Sequence, residues 1–485
     1  MYASKLVALL RSLEKKELLR LEAFLHNPYF VQVKRKDKVL ALFDYLKKCY
    51  PDFNQPRLQK ERTFAYLFPE QVYVAARMDK LMASLVTLVK KFIVLEYADA
   101  SREESRVLLT QARFYRHKQL DKFFRQTITQ LQRLQDQSLK RSIDFYFTQY
   151  LIERERAEYA GYYSKRKEDL NLPNTIQSLD HFYIAARLEF SNAMLAQHHQ
   201  HIPLDVQDDM NILQSIAATI EDDVAQREPL IAIYFQAFLL VQQSVQQEQA
   251  YLQLRQLIAE HGHLLHLDQM KSVQALCRSF CVRQHNRGNK AYLAEAFQLY
   301  KDHLEAGYLY YNNGIHPGMI KNLVNLGLQM GEQDWVLRFL KAHQYKIVGT
   351  KTPDLVYQYN LANYYFSISE YDKVIDYLML DQPEDTYYKL ASKRLEIKVY
   401  YESNRNLLES KMNAFKIYLH RISSKFLPEL HRNGNRNFIN LLWQVQHPQT
   451  LHNEARIEKL MDKIKALGAI VEKEWLLEKL MALRG

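Results

Sequence analysis

Cys277, Cys281 and His285 recur every four residues, the spacing at which a helix could offer thiolate and imidazole ligands to one ion. Helical rise decides against it: about 1.5 Å per residue puts the first and last ~12 Å apart, while zinc bonds span only ~2–2.3 Å. Cys277 and Cys281 alone could chelate together, and small buried apolar side chains account for them better. His198, His199 and His201, and His261, His263 and His266, form two clusters in an acidic stretch where carboxylates could complete a site. Neither carries a His-Glu-x-x-His or paired Cys-x-x-Cys spacing, and two histidine-rich helix ends explain them equally well. Gly349-Thr350-Lys351-Thr352 has Thr350 where a phosphate loop needs the glycine before its lysine, and Gln344 where it needs the upstream glycine. With no Gly-x-Gly-x-x-Gly or Gly-x-Ser-x-Gly motif, the expectation is a non-catalytic protein without metal or cofactor. Dispersed Asp, Glu and His converging in space keep an uncharacterised enzyme as a third reading.

Binding chemistry is better represented. Arg102, Arg106, Arg113 and Arg116 fall within an arc of about 80° on one helix, along ~21 Å, opposite Val107, Leu108, Phe114 and Tyr115. Such a stripe could track phosphates or an acidic protein surface, and it also fits a solvated face. Lys34-Arg35-Lys36, Lys38 and Lys165-Arg166-Lys167 add positive charge, with aromatics able to stack on exposed bases. No named nucleic-acid fold signature accompanies them.

The elements that must carry these residues are helices. In 485 residues glycine and proline occur 12 times each, too few for the turns of a many-stranded protein, while 33 tyrosines and 23 phenylalanines suit helix packing. Apolar residues repeat at three and four, as in Leu81, Leu85, Leu88, Phe92 and Leu95, and strand alternation is nowhere sustained. Breaks at Asn27-Pro28, Pro51, Pro69, Gly161, Leu172-Pro173, Ile202-Pro203, Pro229, Gly262, Gly288, Gly314, Pro353, Pro383, Gly434 and Pro448 divide the chain into roughly twenty helices. Ser101 with Glu104 reads as a capping box, and Pro317 as the first turn of a helix through Leu328. Three cysteines, no signal-like leader and no apolar run of ~20 residues predict a cytoplasmic protein without a membrane span.

The net charge of +11 is uneven: residues 1–169 carry +12, residues 170–270 carry −9, and residues 271–485 carry +8. These shifts suggest a basic helical amino-terminal region, an acidic middle and a basic carboxy-terminal repeat region. Complementarity within a curved array, or separate partner surfaces, would each produce such a pattern.

Residues 357–378 read as two short amphipathic helices folded back at Ser369-Glu370. The segment resembles a tetratricopeptide repeat, a helix hairpin of ~34 residues. Leu361 and Tyr365 match its helix-A leucine and tyrosine, Ala362 replaces its glycine, and Leu378 its helix-B phenylalanine. Gln358, Val374 and Pro383 depart from its tryptophan, small alanine and proline positions. Trp335 lies 36 residues before Tyr371, and Tyr400 35 after Tyr365, which extends the resemblance over about 315–421. It implies an all-α solenoid of antiparallel hairpins that binds rather than catalyses. In that family helix A lines the concave groove, which implies partner contacts at Tyr359, Asn363, Phe366, Arg394, Lys398 and Tyr401. A cationic groove there would suit an acidic peptide or protein.

The leading expectation is therefore a protein-interaction scaffold, with an RNA- or ribosome-associated protein as the alternative. The alternative predicts that mixed RNA binds at low salt, and that binding weakens steeply with salt and with charge reversal of Arg106 and Arg113. A filter-binding titration with no low-salt complex would remove it.

Overall fold

The computed structural model describes all residues except 30–34, 54–57, 97–99, 164–168, 200–210, 217–227, 243–246, 379–384, 404–405, 424–426, 448–449, 451–452 and 485. Lys34, Lys165, Arg166, Lys167, His201, Ile202, Pro203, Pro383 and Pro448, and the side chains of Ser101, Arg102, His198 and His199, lie outside what is described. The chain is all-α, and it divides into two compact units, Met1–Gln135 with Glu158–Arg166, and Asp136–Ala157 with Lys167–Gly485. No helix among the described residues is long and apolar enough to cross a membrane.

In the first unit, helices Lys5–Arg11, Lys15–His26, Lys36–Lys47, Lys60–Leu67 and Ala75–Glu96 enclose one core running from Leu6 to Phe92. The long helix Ala75–Glu96 inserts Leu81, Leu85, Leu88 and Phe92 as their spacing predicts. Leu95, assigned to the same stripe, is instead about half exposed. Helices Ala100–His117 and Asp121–Gln137 follow, and the first begins before Ser101, which therefore lies inside its first turn rather than capping it.

In the second unit, most described helices pack against a helix near them in the chain. Pro317–Gln329 touches both Gln333–His343 and Pro353–Ser367, and Pro353–Ser367 touches both Tyr371–Leu378 and Thr386–Glu402. One apolar core runs from Tyr146 to Tyr400 and crosses residue 270 without a break, while a second gathers Leu390 to Leu480. Proline opens Pro229–Val241, Pro317–Gln329 and Pro353–Ser367, where its missing N–H costs nothing.

One turn recurs. Gln119, Gly288, Gly331 and Ser369 each adopt positive φ, at +59°, +101°, +76° and +62°. The N–H of the next residue bonds the carbonyl five positions back: Leu120 to Tyr115, Asn289 to Gln284, Glu332 to Gly327, and Glu370 to Tyr365, at 2.9–3.1 Å. This is the Schellman closure, which satisfies orphan carbonyls and reverses the chain. Four hairpins thus share one device, including the reversal expected at Ser369-Glu370. Ala291–Glu305 ends in the same closure, with Gly307 at +78° and the Tyr308 N–H on the His303 carbonyl at 2.8 Å. Its link to Pro317–Gln329 then pairs Tyr310–Tyr311 antiparallel with Gly314–Ile315 across Asn312-Asn313, both at positive φ.

Close packing has its own sequence requirement at Gly327. A Cβ there would lie 2.5 Å from Val336 Cγ2 and 3.3 Å from Phe297 Cε2. Gly327→Ala gains about 1 kcal/mol of helix propensity but overpacks the contact, so it is expected to destabilise by ~1–2 kcal/mol net. Urea denaturation checks this, with recovery expected when Val336→Ala is added.

Candidate functional site

Arg394 and Lys398 lie four residues apart on Thr386–Glu402, whose amino end is capped by Asp385 Oδ1 accepting from the Tyr388 N–H at 2.9 Å. Both side chains turn to one carboxylate. Arg394 Nε donates to Glu472 Oε1 at 3.0 Å and Lys398 Nζ to Oε2 at 2.9 Å, while Arg394 Nη1 reaches Asn435 Oδ1 at 2.8 Å. Glu472 stands at φ +57° immediately before helix Lys473–Ala482. Burial pushes its carboxyl up, but the charges of Lys398 and Arg394 outweigh that and hold it at about 2.

Phe366 and Tyr401, also expected as partner contacts, lie beside this bridge or the Trp475 ring next to it. Lys398 Nζ lies 4.7 Å from the Phe366 ring centroid and 5.6 Å from that of Trp475, and Tyr401 meets Trp475 edge-on at 5.2 Å. Trp475 Nε1 donates to Glu402 Oε1 at 2.8 Å, and Lys479 pairs with the same oxygen at 2.6 Å. Asn363 is half-buried and donates to the Tyr359 carbonyl at 3.2 Å. Tyr359, buried with its phenol pushed up to about 12 by desolvation, faces Tyr388 edge-on at 5.1 Å.

Sequence reasoning missed Lys321. Its ammonium sits 5.9 Å from the Tyr359 centroid and 5.4 Å from that of Tyr388, and among the described residues no carboxylate contacts it. Burial, then the charge of Arg394, pushes it down to about 8. Arg394 and Lys398 thus share Glu472 as their direct partner, while Lys321 feels Glu472 and Asp385 only through their charge. Nothing local in the sequence pairs Arg394 with a glutamate 78 residues on.

The basic stripe fares differently. Arg106 is exposed and Arg113 half-buried, but Arg116 is buried and paired with Glu158. Leu108, Leu109, Ala112 and Arg116 form the buried face, whereas Val107 and Phe114 are exposed. The arc assigned to solvent therefore begins to turn inward by Arg116.

Cys277 and Cys281 are fully buried, with thiols pushed up by desolvation to about 12 and 11, the opposite of what a nucleophile needs. His285, on the same helix, is buried with Nε2 2.8 Å from Gln329 Oε1. Arg278 Nη1 lies 2.7 Å from Nδ1 of buried His303. A guanidinium only donates, so that nitrogen accepts and the imidazole is neutral, in keeping with burial and Arg278 lowering its pKa to about 4. Among the described residues no three His, Cys, Asp or Glu side chains gather as a metal site requires.

The described residues of the second unit form at least two open clefts. One, of about 470 Å³, is lined by Lys140, Ile258, His263, Met270, Gln274 and Tyr308 among others. Lys140 there spends two bonds on the His263 and Leu265 carbonyls, each at 2.8 Å. Another, of about 580 Å³, lies among Leu408–Arg421, Glu429–Val445 and Glu454–Ala466. Asn413, Lys416, Asn437, Asn440, Trp443, Gln444 and Lys463 line it with Leu441 and Leu467, and its lining includes no carboxylate. Asn437 Nδ2 is spent on the Ala469 carbonyl at 2.8 Å and Gln444 Nε2 on that of Asn440 at 2.9 Å, while Asn413 and Asn440 are exposed. Comparison with protein-family models, curated proteins and solved structures finds no match to this chain.

Lys321 gives the cluster a pH signature. Its folded pKa lies below the unfolded value of 10.5, so the unfolded chain holds the extra proton between pH 8 and 10.5 and stability from this group rises across that window. Below pH 8 the penalty for a charged, poorly solvated ammonium is fully present. Lys321→Met is expected to stabilise the protein at neutral pH by ~1–3 kcal/mol, with the gain shrinking towards pH 10.5. Denaturant midpoints of both proteins at pH 7 and pH 10 check the difference.

Proposed function

We propose that this protein is a non-catalytic interaction scaffold whose helix hairpins present a surface to an acidic segment of a protein partner. The amide-lined cleft between Leu408–Arg421, Glu429–Val445 and Glu454–Ala466 carries the reading. Carboxamides can both donate to and accept from an extended peptide backbone, Lys416 and Lys463 supply charge for its acidic side chains, and Trp443 offers a face to an apolar one. An acidic peptide suits this lining because nothing in it repels a carboxylate.

The Arg394–Glu472–Lys398 bridge supports the same chemistry from a neighbouring position. Two cations on Thr386–Glu402 hold a carboxylate there, which Glu472 supplies from within the chain, and Lys398 also lies against the Phe366 and Trp475 rings. A partner's acid would have to displace Glu472 to reach Arg394 and Lys398, whereas Lys416 and Lys463 remain exposed. The recurrent Schellman closure fits the stacked-hairpin architecture that the tetratricopeptide resemblance implies, in which rigid helices preorganise a binding surface. Nucleic-acid binding is less favoured, since Arg116 is buried against Glu158 and the surface stripe is shorter than its sequence suggests.

A fluorescent acidic peptide of mixed Asp, Glu and Leu is expected to bind more tightly than a neutral peptide of the same length. Lys416→Glu with Lys463→Glu should weaken it at least tenfold while Arg106→Glu leaves it unchanged. Fluorescence anisotropy checks this, and equal affinity for the two peptides would defeat the assignment.

A further inference from the structure

Among the described residues, helix Leu172–His199 is held on one face and exposed on the other. Its inner face buries Ser178, Ala185, Leu188, Ser191, Asn192 and Leu195. Asn192 Nδ2 donates to the Tyr234 carbonyl at 2.9 Å, and the Tyr234 hydroxyl donates to Glu189 Oε2 at 2.5 Å, which fix the helix on Pro229–Val241. The outer face shows Leu172 at 51%, Ile176 at 59%, Leu179 at 41%, Tyr183 at 49% and Phe190 at 67% exposure. Ala186 and Ala193 continue the same line, and the steps alternate four, three, four, three, four, three. That is a strict heptad seam, the pattern that keeps one stripe against one long helical partner.

We infer that this seam is a self-association surface, on which the same helix of a second copy lies antiparallel. The side-chain sizes argue for the orientation. About a two-fold axis near residues 184–185, Ile176 meets Ala193 of the second copy, Leu179 meets Phe190, Tyr183 meets Ala186, and Leu172 meets Gln197. Large residues face small ones in two of these layers, and each layer occurs twice by symmetry. A parallel pair would instead set Tyr183 on Tyr183 and Phe190 on Phe190, with alanine opposite alanine leaving voids. Self-complementarity under a two-fold is what a second copy supplies and an unrelated helix does not.

Area and charge agree. Five large side chains about half uncovered offer on the order of 500 Å² per copy, so a pair removes ~1,000 Å², the lower bound for a specific interface. The surrounding stretch 170–270 is acidic, yet the helix itself carries only Asp180, Arg187 and Glu189, leaving little charge to oppose pairing.

Sedimentation of the full chain at micromolar concentration is expected to give twice the 57.7 kDa monomer mass. Tyr183→Glu with Phe190→Glu should return the monomer mass with unchanged circular dichroism, because both side chains are exposed in the single chain, and with a melting temperature that no longer rises with protein concentration. In a Cys49→Ser background, a mixture of Tyr183→Cys and Ala186→Cys chains should form a disulfide-linked pair on mild oxidation. A wild-type monomer at every concentration, or a dimer that survives the double glutamate variant, would overturn the inference. A dimer lacking the mixed crosslink would overturn the antiparallel register.

Discussion

A helix buries one stripe and leaves both ends with unsatisfied backbone groups, and most of this structure answers those two demands. In the second unit most described helices pack against helices near them in the chain, and the core grows along the sequence from Tyr146 to Tyr400. The ends are answered by the turn at Gln119, Gly288, Gly331 and Ser369, where a left-handed residue lets the following N–H close on a carbonyl five residues back. Glycine fills only two of these positions. Gln119 and Ser369 accept a backbone cost of about 1–2 kcal/mol each, which the packing of their hairpins must offset.

Where the packing is interrupted, polar chemistry collects. The core from Tyr146 to Tyr400 and the core from Leu390 to Leu480 both draw on the helix Thr386–Glu402, and the polar face of that helix holds Arg394 and Lys398. Glu472 satisfies both at once and positions Lys473–Ala482, whose Trp475 and Leu476 complete the second core. Removing Glu472 would strand two cations that are only 13% and 14% exposed, so the bridge is structural even where its residues have the chemistry of a binding site. Among the described residues, the amide-lined cleft has no carboxylate in its lining.

Legibility in the sequence followed the range of the interaction. The hairpin at residues 357–378 was readable because apolar periodicity and a polar reversal at Ser369-Glu370 are local. The stripe of Ala75–Glu96 was readable as far as Phe92 and failed at Leu95, since periodicity does not say where covering neighbours end. The arginine stripe failed at Arg116 for a related reason: a long cationic side chain can turn to a buried partner, and Glu158 lies outside any window in which helical spacing speaks. Asn312-Asn313 before Gly314 carried a hairpin signal that helical periodicity overshadowed.

The sequence by itself determined an all-α chain, a reversal at Ser369-Glu370 and a set of cations and aromatics on successive helices, because each follows from contacts within a few residues. Of its expected breaks, Gly161 and Gly434 lie inside helices Ile143–Tyr163 and Glu429–Val445, where a lone glycine is tolerated. Tertiary structure decided what those side chains meet. It gave Glu472 to Arg394 and Lys398, set Lys321 between Tyr359 and Tyr388, and gathered Lys416, Lys463 and Trp443 at one cleft. It also left the seam from Leu172 to Phe190 uncovered among the described residues. These outcomes rest on contacts between residues tens of positions apart, and a three- or four-residue periodicity carries no information about them.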